Sequence, residues 1–187
     1  MKILAIYGSP NKDGNTATIV NKILEGAAAN DHEIDRVYLY DMNYADCLDC
    51  ENANQIHKEK YCIHDDDFTN IILPKLLAAD VLILSSPVYI GHITGKTKTF
   101  LDRWYTFVGE NFKVRLVNKK KFITVVTSGA PAETFKGVSD YLEKWLSDYF
   151  FKLEKIAVIH SGNLGGKKAI LSRKDILERA EKIGKGL

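Results

Sequence analysis

Apolar residues gather in short unbroken runs, Ile3 to Tyr7, Val81 to Leu84, Phe122 to Thr127 and Ile156 to Ile159, separated by stretches of helical period. Runs without polar alternation suit strands covered on both faces, as in a parallel sheet. A further run, Glu33 to Tyr40, sets Ile34, Val37 and Leu39 among polar residues and reads as an edge strand, second in chain order. Between the strands, Ile19, Val20, Ile23, Leu24 and Ala27 share one helical face, and Val138, Tyr141, Leu142, Trp145, Leu146, Tyr149 and Phe150 make a longer stripe. Thr97 to Val108 and Ser172 to Ile183 follow the same period, and Asp66 to Ala79 follows it if Pro74 kinks the helix.

Strict alternation of strands and helices with right-handed crossovers predicts an α/β fold, a doubly wound five-stranded parallel sheet of flavodoxin-like order 2-1-3-4-5 with helices on both faces. No internal repeat, low-complexity tract or Gly/Ser/Pro linker interrupts it, so residues 1–187 are expected to form a single domain. In such sheets ligands bind beyond the carboxyl ends of the strands, where strands 1 and 3 part. The loops after Tyr7, Leu84 and Thr127 are therefore the place to look for chemistry.

The first of these, Gly8-Ser9-Pro10-Asn11-Lys12-Asp13-Gly14-Asn15-Thr16, joins a buried strand to a helix. Its small and turn-forming residues let N–H groups and the Ser9 and Thr16 hydroxyls converge on the helix N-terminus, a site for an anion, with Lys12 as a possible aid. Five residues separate Gly8 from Gly14 and Asn15 follows, which excludes a Walker A loop, and the Gly-x-Gly-x-x-Gly dinucleotide fingerprint is absent. A mononucleotide such as FMN remains. Ser85-Ser86-Pro87-Val88-Tyr89-Ile90-Gly91-His92, across the switch point, offers a stiff apolar segment with backbone groups for the edge of a flat ring. Thr127-Ser128-Gly129-Ala130 is small enough to form a second wall.

Composition narrows the classes further. Twenty-six Lys/Arg against 24 Asp/Glu leave a net charge of +2, too small a field for a nucleic-acid binder. The charge is uneven: 41–67 is acidic and 161–187 basic, runs read here as solvated faces. The longest apolar stretch, Ile71 to Ile90, is broken by Pro74, Lys75, Asp80 and Pro87, so no membrane span is expected. Three cysteines do not make a disulfide scaffold, and the apolar start is too short for a signal peptide. The expectation is a soluble cytoplasmic protein.

Gly8-Ser9-Pro10 with Gly14-Asn15-Thr16, Lys75-Leu76-Leu77-x-Ala79-Asp80, Ser86-Pro87-Val88-Tyr89-x-Gly91 and Lys98-x-Phe100-Leu101-Asp102-Arg103 together resemble the NAD(P)H-dependent FMN reductases and their iron-sulfur flavoprotein relatives. The resemblance implies that Ser9, Asn15 and Thr16 bind the FMN phosphate, that Pro87, Val88, Tyr89, Ile90 and Gly91 line the isoalloxazine, and that Ser128 and Gly129 close the pocket. It also implies NAD(P)H as donor, a small-molecule acceptor such as a quinone, a flavin or an aromatic compound, and a homodimer or higher homo-oligomer. Asp102 and Arg103 read equally as a salt bridge or a ligand contact. An FMN-binding electron carrier or sensor is the competing reading, disfavoured by the pI near 8.3.

Cys47-x-x-Cys50 and Cys62 lie where cluster-bearing relatives carry four cysteines, and Ala53 occupies the missing position. Loss of the cluster, a zinc or cluster site completed by His57 or His64, and a redox dithiol all stay open, and no metal is assigned.

Overall fold

Five strands, β1 (Lys2–Tyr7), β2 (Glu33–Tyr38), β3 (Val81–Pro87), β4 (Lys121–Thr127) and β5 (Glu154–Ser161), pair in parallel in the order β2-β1-β3-β4-β5. The computed structural model describes residues 1–50, 61–109, 113–116, 119–148 and 151–187. The helices are α1 (Asn15–Ala27), α2 (Leu73–Ala78), α3 (Gly95–Asp102), α4 (Lys136–Ser147) and α5 (Lys174–Lys185). This is the flavodoxin-like α/β sheet that the hydrophobic runs predict.

The alternation along β1 decides which helix packs where. Ile3, Ala5 and Tyr7 face the layer of α1 and α5, while Leu4 and Ile6 face α2, α3 and α4. Every second residue of β3 and β4 follows suit, so both faces are dry, which is why their sequences are continuously apolar. On the second face Trp104 packs edge-on against Trp145 at 5.0 Å and against Phe151 at 5.0 Å, so this part of the aromatic stripe is core. Tyr149 and Phe150 lie outside the described residues.

Some boundaries differ from those read in sequence. β2 stops at Tyr38, and Leu39–Asp41 turns as a short 3₁₀ segment that buries Leu39. The 66–79 segment is not one helix: a π-turn, Phe68–Ile72, leads into α2 with Pro74 in its first turn. Proline has no N–H to bond the carbonyl four residues back, and the wider turn absorbs that gap. Likewise α3 tightens into 3₁₀ geometry over Arg103–Phe107.

Candidate functional site

The carboxyl ends of β1, β3, β4 and β5 open onto a cavity of ≈ 300 Å³. Ser9, Asn11, Gly14, Asn15 and Thr16 form its β1 side, Pro87 to Tyr89 its β3 side, Thr127 to Gly129 its β4 side, and Leu164, Gly166 and Lys167 its β5 side. The loops are tied together below it. Gly8 donates to Ser85 O at 2.9 Å, and a Cβ there would lie 2.1 Å from Thr97 Oγ1 and 2.4 Å from Ser85 O, so only glycine lets β1 leave the sheet at this point. Thr94, fully buried, donates to Gly8 O at 2.8 Å and caps α3 by accepting from Thr97 N. Ser128 N donates to Ser161 O and Leu164 N to Ser128 O, which carries the β4–β5 pairing into the wall.

The β1 end suits a phosphate. Gly14 is the N-cap of α1 and has no side chain to satisfy the N–H groups of the first turn, and no acidic residue stands there. An uncapped helix start beside a cavity offers unpaired donors and a partial positive charge. Thr16 Oγ1 and Thr127 Oγ1 lie 2.6 Å apart, buried. That pair of hydroxyls has two protons and spends one between them, leaving one for a ligand. Ser9 Oγ accepts from Asn11 N at 3.1 Å and keeps its own proton to give. Lys12 is otherwise engaged, 2.6 Å from Asp41 and 5.1 Å over the Tyr38 ring.

The Asn15 side chain points elsewhere. Its amide donates to Leu164 O (3.4 Å) and Gly166 O (3.0 Å), and its carbonyl accepts from Ile170 N (3.0 Å), so it holds the β5–α5 loop and leaves only its backbone facing the anion site.

At the other end, Pro87, Val88 and Tyr89 face Ser128 and Gly129 across the cavity, and a Cβ on Gly129 would meet nothing within 4 Å, so the gap has room for a flat ring. The N–H groups of Val88 and Tyr89 are already spent on Thr127 O and His92 O, both at 2.8 Å. Ile90 and Gly91 do not line the cavity. They form the tip of a tight turn closed by the Tyr89–His92 pair, with φ of 46° and 76°, and Ile90 is fully exposed. His160 Nε2 lies 3.5 Å from Ser128 Oγ, and burial pushes its imidazole below the usual value against the opposing pull of Glu133 and Asp140.

Asn11, Leu164, Gly166 and Lys167 line the cavity without having been singled out in the sequence. The one signal for Lys167 was the basic run 161–187, which composition alone reads as a solvated face.

Residues 1–152 match the sequence profile of the family described as NADPH-dependent FMN reductase. The chain belongs to that family. The uncapped helix start, the spare hydroxyl protons and the open slot beside Gly129 fit FMN, the flavin that the family's description names. The chain is 33% identical over 129 residues to an iron-sulfur flavoprotein of Archaeoglobus fulgidus, covering 69% of this chain and 60% of that one. A second, from Methanosarcina thermophila, is 29% identical over 143 residues, covering 76% and 73%. The fold is also that of an NAD(P)H:quinone oxidoreductase from Methanothermobacter marburgensis, with a TM-score of 0.74 over 100% of this chain and 96% of that one at 17% identity.

The name iron-sulfur flavoprotein raises the question of a cluster. Cys47, Cys50 and Cys62 line one cavity of ≈ 20 Å³ with His64, Arg103 and Thr106. Arg103, 1% exposed, grips Asp66 through both oxygens (2.6 and 3.1 Å), Ala45 O (2.8 Å) and Cys62 Sγ (3.3 Å), a salt bridge that anchors the cysteine loop. Burial, then the neighbouring Cys62 and Cys47, pushes the Cys50 thiol up. Three sulfurs, one engaged by a guanidinium, do not supply the four thiolates of a [4Fe–4S] cluster. Among the described residues no group of three or more His, Cys, Asp or Glu side chains is placed to hold a metal ion. Ala53 and His57 lie outside the described residues.

Proposed function

We propose that this chain is an oxidoreductase that binds FMN in the cavity above β1, β3 and β4 and passes reducing equivalents from NAD(P)H to a quinone, a flavin or another small acceptor. The observation that carries the reading is the uncapped start of α1 opening into a cavity whose far end is a slot between Pro87–Tyr89 and Ser128–Gly129. FMN, when bound, supplies hydride acceptance and transfer of electrons singly or in pairs. Ser9, Thr16 and the backbone of Asn15 hold its phosphate. Pro87, Val88, Tyr89, Ser128 and Gly129 fix the plane of the ring, and Ile90 and Gly91 form the rim over which donor and acceptor enter. No side chain is required as a catalytic acid or base, so binding and orientation are the protein's contribution.

The same reading takes residues 1–187 as one domain acting in the cytoplasm, as a homodimer or higher homo-oligomer. No helix among the described residues is long and apolar enough to cross a membrane. The test is NADPH and NADH oxidation at catalytic protein concentration with FMN and a quinone, alongside the visible spectrum of the purified protein. Flavin bands with turnover are expected. Flavin bands without turnover would turn the enzyme into an electron carrier, and failure to take up FMN would remove the reading.

A further inference from the structure

A bound phosphate ester is held more tightly where a cation joins the N–H donors, and the phosphate loop does not supply one. Its one lysine, Lys12, is held by Asp41 and stacked over Tyr38, outside the cavity wall. Its one carboxylate, Asp13, stands next to the N-cap of α1, where a negative side chain opposes an incoming anion. Two ammonium groups from the loop after β5, about 150 residues on in sequence, cancel and reverse that charge. Lys167 Nζ lies 3.5 Å from Asp13 Oδ1 and Lys168 Nζ 3.4 Å from Asp13 Oδ2, so two cations on one carboxylate leave a net charge of +1. Only one of the two, Lys167, lines the cavity.

We propose that Lys167 is the cation that recognises the FMN phosphate, and that Asn15 is the positioning residue that brings it there. This rests on the flavin reading above. Asn15, at the first turn of α1, bonds Leu164 O, Gly166 O and Ile170 N, so one side chain fixes both flanks of the Gly165–Lys168 turn against the helix start. The residue whose backbone faces the phosphate thus also sets the distance of the lysine from it. Without ligand, Lys167 rests on Asp13; with a phosphate at α1, it bridges the two anions. Lys167 lies beyond residues 1–152, the part matched to the family, so this contact belongs to this chain and does not follow from the family match. The specificity it confers is for FMN over riboflavin, which shares the ring and lacks the phosphate.

The experiment is titration of FMN and of riboflavin by quenching of flavin fluorescence, on the wild type, Lys167→Gln, Lys167→Arg and Lys168→Gln. Lys167→Gln should weaken FMN by about tenfold, the size of a charge-assisted contact at a partly solvated site, and leave riboflavin within about twofold. Lys167→Arg should recover most of the loss, Lys168→Gln should show little, and raising the salt should shrink the wild-type advantage for FMN. Asn15→Ala should weaken FMN, and adding Lys167→Gln to it should cost much less than in the wild type, since the two act as one unit. Equal losses for both flavins, no loss in Lys167→Gln, or additivity with Asn15→Ala would overturn the proposal. So would a raised KM for NADPH with FMN affinity unchanged, which would move the lysine to the nicotinamide. A wild type that binds neither flavin would overturn the flavin reading itself.

Discussion

Ile90 sits at φ 46° on a fully exposed turn, a backbone region that a β-branched residue enters at a cost of about 1–2 kcal/mol. It buries nothing in return within the chain. Ile90→Asn would create the Asn-Gly pair that such two-residue turns prefer, so it should raise stability by about 1 kcal/mol, read as a higher urea midpoint at unchanged slope. A fall in the midpoint would show that Ile90 is held by a contact within the fold. His160 gives a second prediction at this scale. Its folded value is depressed by burial, so below its ordinary 6.5 the unfolded chain takes a proton that the folded one refuses. Stability contributed by neutral His160 is therefore present above about pH 6.5 and is lost as the pH falls toward the depressed value. Urea midpoints at pH 7.5 and 5.5 should differ more in the wild type than in His160→Gln, and equal differences would refute the assignment. Single residues were the least legible part of the site. Ser9 and Thr16 announce themselves because hydroxyls beside glycine after a buried strand have few other uses. The turning of the Asn15 side chain away from the anion depends on Leu164 and Ile170, which no local pattern connects to it.

At the level of elements, the start of α1 is where the site is built, and its position is set by its crossing with α5. A Cβ on Gly184 would lie 1.9 Å from Ile23 O, and one on Gly26 would lie 2.3 Å from Glu181 O, so the two backbones touch through glycine. Gly184→Ala must push the helices apart and should cost about 1–3 kcal/mol despite the better helix propensity of alanine. Gly186→Ala, whose Cβ would sit at an ordinary 3.5 Å from Ile183 O, should change the urea midpoint little. Similar effects of the two would mean that the crossing is not tight. The strands β1, β3 and β4 were legible because burial on both faces removes polar residues from them. The edge strands were read less well, since half-exposed positions such as Ile34 and Ile156 carry little pattern. The helix ends moved for local reasons. Pro74 turned a helix start into a π-turn, and the chain after Asp102 tightened so that the Arg103 guanidinium could reach Asp66 and Ala45.

For the whole molecule, a ligand that binds only the folded chain stabilises it by mass action. FMN at a hundred times its Kd should add about 2.7 kcal/mol and raise the melting temperature by roughly 5–10 °C in a chain of this size, followed by far-UV circular dichroism so that flavin signals do not intrude. Riboflavin at the same concentration should raise it less, and equal shifts would mean that the phosphate end is not engaged. The sheet order and the place of the cavity were legible from alternation alone, because a doubly wound sheet has one switch point. The β5 contribution was not, because Lys167 reaches the site only through contacts spanning about 150 positions, and a lysine in a basic run looks like any other. That span also bears on synthesis. A ribosome that has released β1 through β4 has made the hydroxyls and the ring slot, yet Asn15 has neither the Leu164 and Gly166 carbonyls nor the Ile170 N–H to bond until that segment emerges. On the proposal that Lys167 recognises the phosphate, full affinity for FMN is deferred until the loop after β5 is in place, and flavin content should gauge how many chains in a preparation have completed it.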